Sequence, residues 1–360
     1  EGKLGAAPGR KVALSSVTVV VPCYNYARFL PGCLRSVLSQ QGVELTVLVL
    51  DDASSDDTYR VATEAAAADP RVAVVHHERN KGNIATFNEG LAASTSDYTA
   101  LVSADDLLVP GALCRAAQVL DEHPEVGFVY GRSVYFETDD ALPPARAGAF
   151  QVDLWPGRDW IARRCRTATS CISSPEVVVR TSLQHQIGGY RADLPCASDV
   201  EMWLRFAAHA NVAYVRGADQ AYYRVHSQSM LRQTLATSPL TDLRQRRDAY
   251  AAFFRDWGAR VPAAGALQAR ANRALAREAL WGACRAYDRH RYDSAHVAAF
   301  EAFASEIYPA ATRLPEHWGL AWRKRLGPDW CPRLQPVLVS AMVRHVRNRL
   351  WWRHWRNYGV

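Results

Sequence analysis

The sequence predicts an α/β fold in which a mostly parallel, Rossmann-like sheet is flanked by helices and followed by an α-helical C-terminal domain. Short apolar runs alternate with helical stretches of ten or more residues over the first 130 positions, which is typical of βαβ units. The runs are almost continuously apolar, as expected for strands that are covered on both faces. After residue 241 the chain becomes rich in Ala and Arg with a helical period, and this change predicts the second domain.

The elements of the first domain follow in order from these patterns. The first strand, 17–21, is a β-branched run that Pro22 ends, and the apolar positions of 29–40 recur at helical spacing. The second strand, 45–50, runs into a polar loop that opens an alanine-rich helix ending near Ala68. Further strands are predicted at 72–75, 98–102 and 127–130, with helices at 83–93 and 111–122 between them.

The later part of the chain gives weaker patterns. Residues 138–157 include two adjacent acids and two adjacent prolines, which predict a loop or lid. Residues 280–304 resemble one helix-turn-helix repeat, and a single repeat cannot bury its apolar face alone, so we expect helices packed on the first domain. The predicted organisation is a disordered or extended segment at 1–14, an α/β domain at 15–235 and a helical domain at 241–360.

Composition limits the class of protein. With 49% hydrophobic and 22% charged residues, the chain has an ordinary globular composition, which argues against long disorder. No apolar run approaches the roughly 18 to 20 residues of a membrane span, and the first residues lack the apolar core of a signal peptide, so a cytoplasmic protein is predicted. The eight cysteines include no CxxC pair, which favours reduced thiols over a zinc site or a disulfide framework.

Two adjacent carboxylates, Asp105 and Asp106, follow the strand predicted at 98–102. Buried acids are costly unless a cation or several donors satisfy them, and hard divalent cations prefer such oxygen ligands together with substrate phosphates. The alternative is that one of the two acids caps the helix that follows Pro110. Polar loops also follow the first two strands, and ligands bind at this edge of a parallel sheet. The position therefore favours a binding site.

Six stretches resemble, in order, the motifs of glycosyltransferase family 2, an inverting and nucleotide-sugar-dependent family with the GT-A fold. They are VVVPCYN at 19–25, LDDASSDDT at 50–58, NKGN at 80–83, SADD at 103–106, SDVEMWLR at 198–205 and YRVH at 223–226. Together they cover about residues 17 to 230, and the resemblance implies that the domain at 15–235 has a nucleotide-binding half to about residue 130 and an acceptor half after it. The resemblance implies a sugar transfer from a nucleoside-diphosphate sugar, most readily a UDP-sugar, to a hydroxyl of a saccharide, a lipid-linked saccharide or a metabolite.

By this resemblance, the donor would lie on the loops after the first three strands. Tyr24 would stack on the base and Asp52 would accept its imide N–H; a packing aromatic and a helix-cap acid are the structural alternatives. Lys81 beside Gly82 suits a pyrophosphate, although an exposed loop lysine is the alternative. Further nucleotide-sugar contacts are expected at Pro22, Asn25, Asn80, Asn83, Ser103 and Asp105.

The resemblance also implies a divalent cation, Mn²⁺ or Mg²⁺, at the donor phosphates. Asp106 would bind the cation directly, and Asp105 would belong to the metal shell or contact the donor ribose. Ser103 replaces the first Asp of the usual motif, which removes a third carboxylate. His226 would be a further ligand or a phosphate contact, and a structural histidine is its alternative.

Asp199 is the expected general base, because inversion requires removal of the acceptor proton as the hydroxyl attacks. It opens a predicted helix, so an N-cap role competes with this interpretation. Glu201, Trp203 and Arg205 are expected to contact the acceptor or the sugar, although the helical position of Trp203 also suits the core. The alternative to an enzyme is an inactive GT-A-like binding or assembly module that acts through its helical domain.

Residues 342–356 form a basic segment with tryptophans. Met342, Val346 and Leu350 lie on one helical stripe, and five arginines accompany Trp351, Trp352 and Trp355 without an acid between 344 and 356. This pattern is typical of a helix lying on an anionic membrane, while a packed C-terminal helix is the alternative. The sequence thus predicts a protein that is peripheral at the inner face of the membrane, with homo-oligomers through the helical domain as a further interpretation and no nucleic-acid partner.

Overall fold

The structure is a computed structural model of the 360-residue chain. It describes residues 14–169, 171–226, 239–288, 292–333, 342, 346, 349–355 and 357–360. The segment predicted at 1–14 therefore lies almost wholly outside the described residues, as does the boundary predicted between 235 and 241.

A parallel half-sheet forms the first part of the fold. Strand β1 lies between β2 and β4, and β3 pairs with β2, all in parallel register. The bounds are β1 Ser16–Cys23, α1 Leu30–Leu38, β2 Glu44–Asp51, α2 Thr58–Ala68, β3 Val72–His76, α3 Asn83–Ala93 and β4 Tyr98–Leu101. These elements confirm the predicted βαβ pattern, with strand ends shifted by at most two residues. The loops after β1, β2 and β4 lie at the same edge of the sheet, as expected for parallel strands.

Further strands extend the sheet in mixed directions to the order β3-β2-β1-β4-β8-β6-β9-β5, with β7 also paired to β9. Strand β8 is antiparallel to β4 and β6, whereas β6 and β9 are parallel. The bounds are β5 Leu107–Leu108, α4 Ala112–Glu122, β6 Val126–Phe136, β7 Gln151–Trp155, α5 Gly157–Thr167, β8 Val177–Arg180, α6 Thr181–Ile187, α7 Ser198–Ala207 and β9 Asn211–Arg224. Strand β7 corrects the predicted loop at 138–157, because its residues pair with β9 along five positions.

The helical C-terminal part packs on one face of this sheet. Its helices are α8 Pro239–Trp257, α9 Ala264–Asp288, α10 Ser294–Ile307 and α11 Pro315–Leu326. The buried apolar residues of these helices and those of the sheet face around Phe128 and Trp203 form one continuous core. Helices α1 and α4 cover the opposite face and bury a second core. No helix within the described residues is long and apolar enough to cross a membrane.

The end of the chain returns to the α/β part. Trp355 is buried and stacks on Tyr130 with ring centroids 6.1 Å apart, and the guanidinium of Arg164 lies 4.3 Å from the Trp355 ring. The Tyr130 hydroxyl donates to the carbonyl of Gly359. This part of the predicted basic segment is therefore packed on the protein.

The predicted apolar stripe of the same segment is not packed. Met342, Val346 and Leu350 are 63%, 50% and 59% exposed. Of the five arginines, Arg349 and Arg353 are described and exposed, while the other three lie outside the described residues. The segment thus combines a packed end with an exposed apolar stripe.

Candidate active site

The carboxylate pair sits in a tight turn after β4. The amide of Asp106 donates to the carbonyl of Ser103 at 2.9 Å, and both carboxylates are buried, with Asp105 7% and Asp106 2% exposed. The end of β9 holds this turn: Arg224 donates its amide to Asp106 Oδ1 at 2.9 Å and its Nε to the Asp105 carbonyl at 2.7 Å. A helix-cap role is excluded for both acids, because Gly111 precedes α4 at the N-cap position.

His226 completes this cluster. Its Nε2 lies 2.8 Å from Asp105 Oδ2, and its Nδ1 is buried without a hydrogen-bond partner among the described residues. The rings of Phe29 and Tyr26 pack on the imidazole, with centroids 5.2 and 6.3 Å away. The fold thus brings the residues after β1, β4 and β9 together around two acids.

Burial and the charge of Asp105 raise the pKa of Asp106 well above its ordinary value of 3.8. Burial, followed by the charges of the same two acids, also raises the pKa of the Tyr26 hydroxyl. A pKa shift of this sign means that the carboxylate pair lacks sufficient positive charge around it. A bound cation would supply that charge.

The donor atoms fit a cation that is shared with a substrate, rather than one enclosed by protein. No group of three His, Cys, Asp or Glu side chains within the described residues is arranged to hold a metal. Two carboxylates are the usual protein share of a Mg²⁺ site that substrate phosphates complete. His226 faces Asp105 through its Nε2, and its role as a further ligand stays a prediction.

Asp199 lies in the first turn of α7, where its Oδ1 accepts the Val200 amide at 2.7 Å. The N-cap position belongs to Ala197, so Asp199 is not the capping residue of this helix. Burial first, and then the charges of Asp106, Asp105 and, more weakly, Asp199, raise the pKa of Tyr223. Tyr223 is therefore within electrostatic reach of both the carboxylate pair and Asp199.

Asp52 organises the loop between β3 and α3. Its Oδ1 accepts the Lys81 amide at 2.8 Å, and its Oδ2 accepts the Gly82 amide at 3.0 Å. His77 lies between two acids, with Nδ1 2.8 Å from Asp52 Oδ1 and Nε2 3.2 Å from Glu89 Oε2. Burial alone would raise the pKa of Asp52, but the bonds from Lys81, His77 and Gly82 outweigh it and hold this pKa below 3.8.

The other residues expected to contact the nucleotide-sugar lie at the same edge of the sheet. Tyr24 is 49% exposed, which leaves its ring accessible, while Pro22 is buried in β1. Asn25 has a positive φ of 58°, and its Oδ1 accepts the Ser55 amide at 2.8 Å, so it ties the first loop to the second.

The third loop has its own internal contacts. Asn80 donates to the Asp52 carbonyl at 3.2 Å, and Lys81 Nζ bonds Glu89 at 2.7 Å. Gly82 has a φ of 86°, a value that favours glycine, and it directly precedes Asn83, the first residue of α3.

Glu201, Trp203 and Arg205 are placed in the core, at 0%, 5% and 5% exposure. Arg205 bonds Glu201 at 2.8 Å and donates to the carbonyl of Ile187 at 2.6 Å. This placement favours a role in fixing α7 over direct contact with an acceptor, because the side chains reach no open solvent. The acceptor contact stays a prediction for these three residues.

Sequence reasoning missed several residues of the site. Glu176 is buried before β8, where it accepts a hydrogen bond from the Ser133 hydroxyl at 2.5 Å. Burial raises the pKa of Glu176 to about 8. No motif marks this residue, whereas His77 could have been suspected from its position directly after a buried strand.

Comparisons with known proteins agree with this geometry. Residues 18–176 match the family model described as glycosyl transferase family 2. A Mycobacterium tuberculosis protein, named Uncharacterized protein MT1568, is 29% identical over 244 residues, which is 64% of this chain and 72% of that protein.

Two solved structures share the fold. S. aureus TarS in complex with UDP-GlcNAc has a TM-score of 0.59 and 17% identity, covering 85% of this chain and 87% of that chain. The mannosyltransferase PcManGT from Pyrobaculum calidifontis, in complex with GDP-Man and Mn²⁺, has a TM-score of 0.55 and 20% identity, covering 96% and 91%. At these identities the similarity shows the fold alone, and the predicted GT-A fold is confirmed.

The fold is that of GT-A glycosyltransferases, and it carries a buried carboxylate pair at the end of β4. More particularly, residues 18–176 form a glycosyltransferase family 2 domain, as their motifs predicted. The enzymatic class that the sequence predicted is thereby confirmed.

Proposed function

We propose that this glycosyltransferase inverts the anomeric centre as it moves a sugar from a nucleoside-diphosphate sugar, most readily a UDP-sugar, to an acceptor hydroxyl. The observation that carries the proposal is the buried pair Asp105 and Asp106, held by Arg224 and His226 at the ligand edge of the sheet. Tyr223 lies within electrostatic reach of both this pair and Asp199. This proximity supports a site in which the departing diphosphate and the proton-accepting Asp199 act on the same sugar.

The nucleotide would lie across the loops after β1, β2 and β3. The exposed ring of Tyr24 is available to stack on a base. Asp52 is ionised at neutral pH and fixes the amides of Lys81 and Gly82, so it shapes the donor loop and could share its charge with an imide N–H. The UDP-sugar in TarS and the GDP-sugar in PcManGT are both compatible with an acid at this position, because uracil N3–H and guanine N1–H can each donate a hydrogen bond to a carboxylate.

Asp106 and Asp105 would hold Mn²⁺ or Mg²⁺, with His226 beside them. When bound, the cation stabilises the negative charge that grows on the departing diphosphate. The protein keeps the two acids in place through Arg224, whose second guanidinium nitrogen bonds Asp139 at 2.6 Å. The Mn²⁺ in PcManGT supports this part of the proposal.

Asp199 would accept the proton of the attacking hydroxyl. The start of α7 leaves its carboxylate half-buried, whereas the neighbouring Val200 and Glu201 are buried. A carboxylate in the first helical turn is also stabilised as an anion by the helix dipole, which suits a base that must be ionised before the reaction.

Substituting Asp199 by Asn tests the assignment of the base. The amide keeps the size and the contact with the Val200 backbone, but it cannot accept a proton. We expect sugar transfer to fall at least ~10²-fold while donor affinity is retained. Asp193→Asn, which changes an exposed acid just before α7, is the matched control and should leave transfer unchanged. Transfer by the Asp199 variant at the wild-type rate would contradict the assignment.

The acceptor remains the broad class of saccharides, lipid-linked saccharides and hydroxyl metabolites. A peripheral position at the inner face of the membrane, and contacts between copies through the helical domain, belong to the same proposal. The exposed stripe of Met342, Val346 and Leu350 supports the membrane position. The packing of Trp355 restricts any membrane contact of the tail to its outer side.

A further inference from the structure

Helix α11 exposes two tryptophans and buries two charged residues, which is the reverse of an ordinary amphipathic helix. Trp318 and Trp322 lie four residues apart on its outer side and are 67% and 64% exposed. The opposite side buries Glu316 and Arg323, at 8% and 6% exposure, beside Leu320. Surface helices normally bury their large apolar residues and expose their charges, so this arrangement requires an explanation.

Two ion pairs fix the orientation of α11 against α9. Glu316 accepts two bonds from Arg277, at 2.5 and 2.8 Å. Arg323 bonds both carboxylate oxygens of Asp288, at 2.7 and 3.1 Å. The ends of the helix are therefore anchored by buried charges, and rotating it to hide the tryptophans would break both pairs at a high cost.

The exposed side of α11 carries positive charge as well as aromatic rings. Arg325 follows Trp322 by three residues and lies on the same stripe, and Arg313 and Arg333 are also exposed, whereas Lys324 is paired with Glu301 at 2.5 Å. Trp330, just after the helix, is 61% exposed. Asp329 is the only exposed acid between residues 311 and 333, all of which the structure describes. Large exposed aromatic surface of this kind marks an interaction site.

We propose that the tryptophan face, formed by Trp318, Trp322, Trp330, Arg325 and Arg333, docks on the surface of an anionic lipid bilayer. Tryptophan favours the membrane–water interface, where its ring is buried and its N–H is hydrated. Basic residues beside such rings are attracted to acidic headgroups. The combination fits a helix that lies on the membrane without crossing it.

The positive charge of the tryptophan face argues against two other partners, a second copy of this chain and a neutral glycan. Two copies that met through this face would place like charges against each other. A neutral glycan would supply no negative charge to balance the arginines. The exposed stripe of Met342, Val346 and Leu350, with the exposed Arg349, is a second surface of the same apolar and basic character. The inference rests on the membrane position in the proposed function and gives it a surface, while it does not depend on the proposed transfer reaction.

The full chain should be tested by co-sedimentation with vesicles of phosphatidylcholine alone and of phosphatidylcholine with phosphatidylglycerol in equal parts. The wild-type protein should bind the anionic vesicles and be released as salt rises. Trp318→Gln with Trp322→Gln should weaken this binding by about tenfold or more. Both side chains are exposed, so the unfolding temperature should stay within a few degrees. Leu154→Gln, an exposed apolar residue on β7, is the matched control and should bind like the wild type.

A charge variant, Arg325→Gln with Arg333→Gln, should lose anionic binding and its salt dependence while any weak binding to phosphatidylcholine persists. Equal vesicle binding by the tryptophan variant and the wild type, or no binding by either, would overturn the inference. If light scattering shows a dimer for the wild type and a monomer for the tryptophan variant, and neither binds vesicles, the face would belong to a contact between two copies instead. Sugar transfer to a soluble acceptor should be unaffected by these variants, which separates this inference from the proposed reaction.

Discussion

The buried carboxyl of Glu176 should make the stability of this protein fall as the pH rises. Its pKa is raised from 4.5 to about 8 by burial, and its hydrogen bond to Ser133 only partly opposes the shift. The folded protein therefore keeps this carboxyl protonated over a range where the unfolded chain has released the proton. The contribution of this protonated carboxyl to stability is fully present below the unfolded pKa of 4.5. It is lost as the pH rises through the folded pKa of about 8.

The size of the effect follows from the two pKa values. A shift from 4.5 to about 8 corresponds to about 4 to 5 kcal/mol of unfolding free energy, at about 1.4 kcal/mol for each pH unit. Glu176→Gln keeps the shape and remains neutral at every pH. The variant should match the wild type near pH 5 and become more stable than it by several kcal/mol near pH 9.

Urea unfolding of both proteins at pH 5, 6, 7, 8 and 9 would measure this difference. Because other titrating groups are common to the two proteins, they cancel in the comparison. A stability difference that stays constant across the pH series would contradict the raised pKa of Glu176. It would mean that the folded protein holds this carboxylate ionised, with its charge balanced by neighbouring groups.

Two further substitutions test contacts at the site and the tail. Asp52→Ala removes the acceptor of the Lys81 and Gly82 amides, so we expect about 2 to 4 kcal/mol less stability. Calorimetry should also show at least ~10-fold weaker nucleotide binding. Unchanged nucleotide affinity would contradict a role of this loop in binding the nucleotide-sugar. Trp355→Ala should lower the free energy of unfolding by about 3 kcal/mol, because the ring is buried on Tyr130. The control Trp352→Ala, whose side chain is 38% exposed, should lower it by less than about 1 kcal/mol in the same urea assay. Equal losses would mean that the tail is not packed on the protein.

The parallel half of the fold could be predicted because its strands are local apolar runs. Strands β1 to β4 are bounded by polar loops and proline, and their pattern is readable one element at a time. Strand β9 was not readable, because Arg216, Asp219 and Gln220 interrupt it. These polar residues are tolerated through distant partners, such as Arg146, which bonds Asp219 at 2.7 Å.

The place of the carboxylate pair at the end of a strand could be predicted, but not the residues that hold it there. Asp105 and Asp106 are marked by the strand before them, whereas Arg224 is more than a hundred residues away and contacts them only after folding. The exposure of Trp318 could not be predicted either. Tryptophan ordinarily packs inside, and here two ion pairs to α9 determine which side of α11 faces outward.

Asp106 is proposed to bind a cation together with a nucleoside diphosphate, and calorimetry of UDP binding with and without Mn²⁺ tests this role. For the wild type, Mn²⁺ should raise the affinity for UDP strongly. For Asp106→Ala, which removes one buried carboxylate and its repulsion with Asp105, the protein should fold but Mn²⁺ should no longer change UDP affinity. Asp140→Ala, which removes an exposed acid outside this cluster, is the control and should keep the dependence on Mn²⁺. Mn²⁺-dependent UDP binding of wild-type strength in Asp106→Ala would contradict the account.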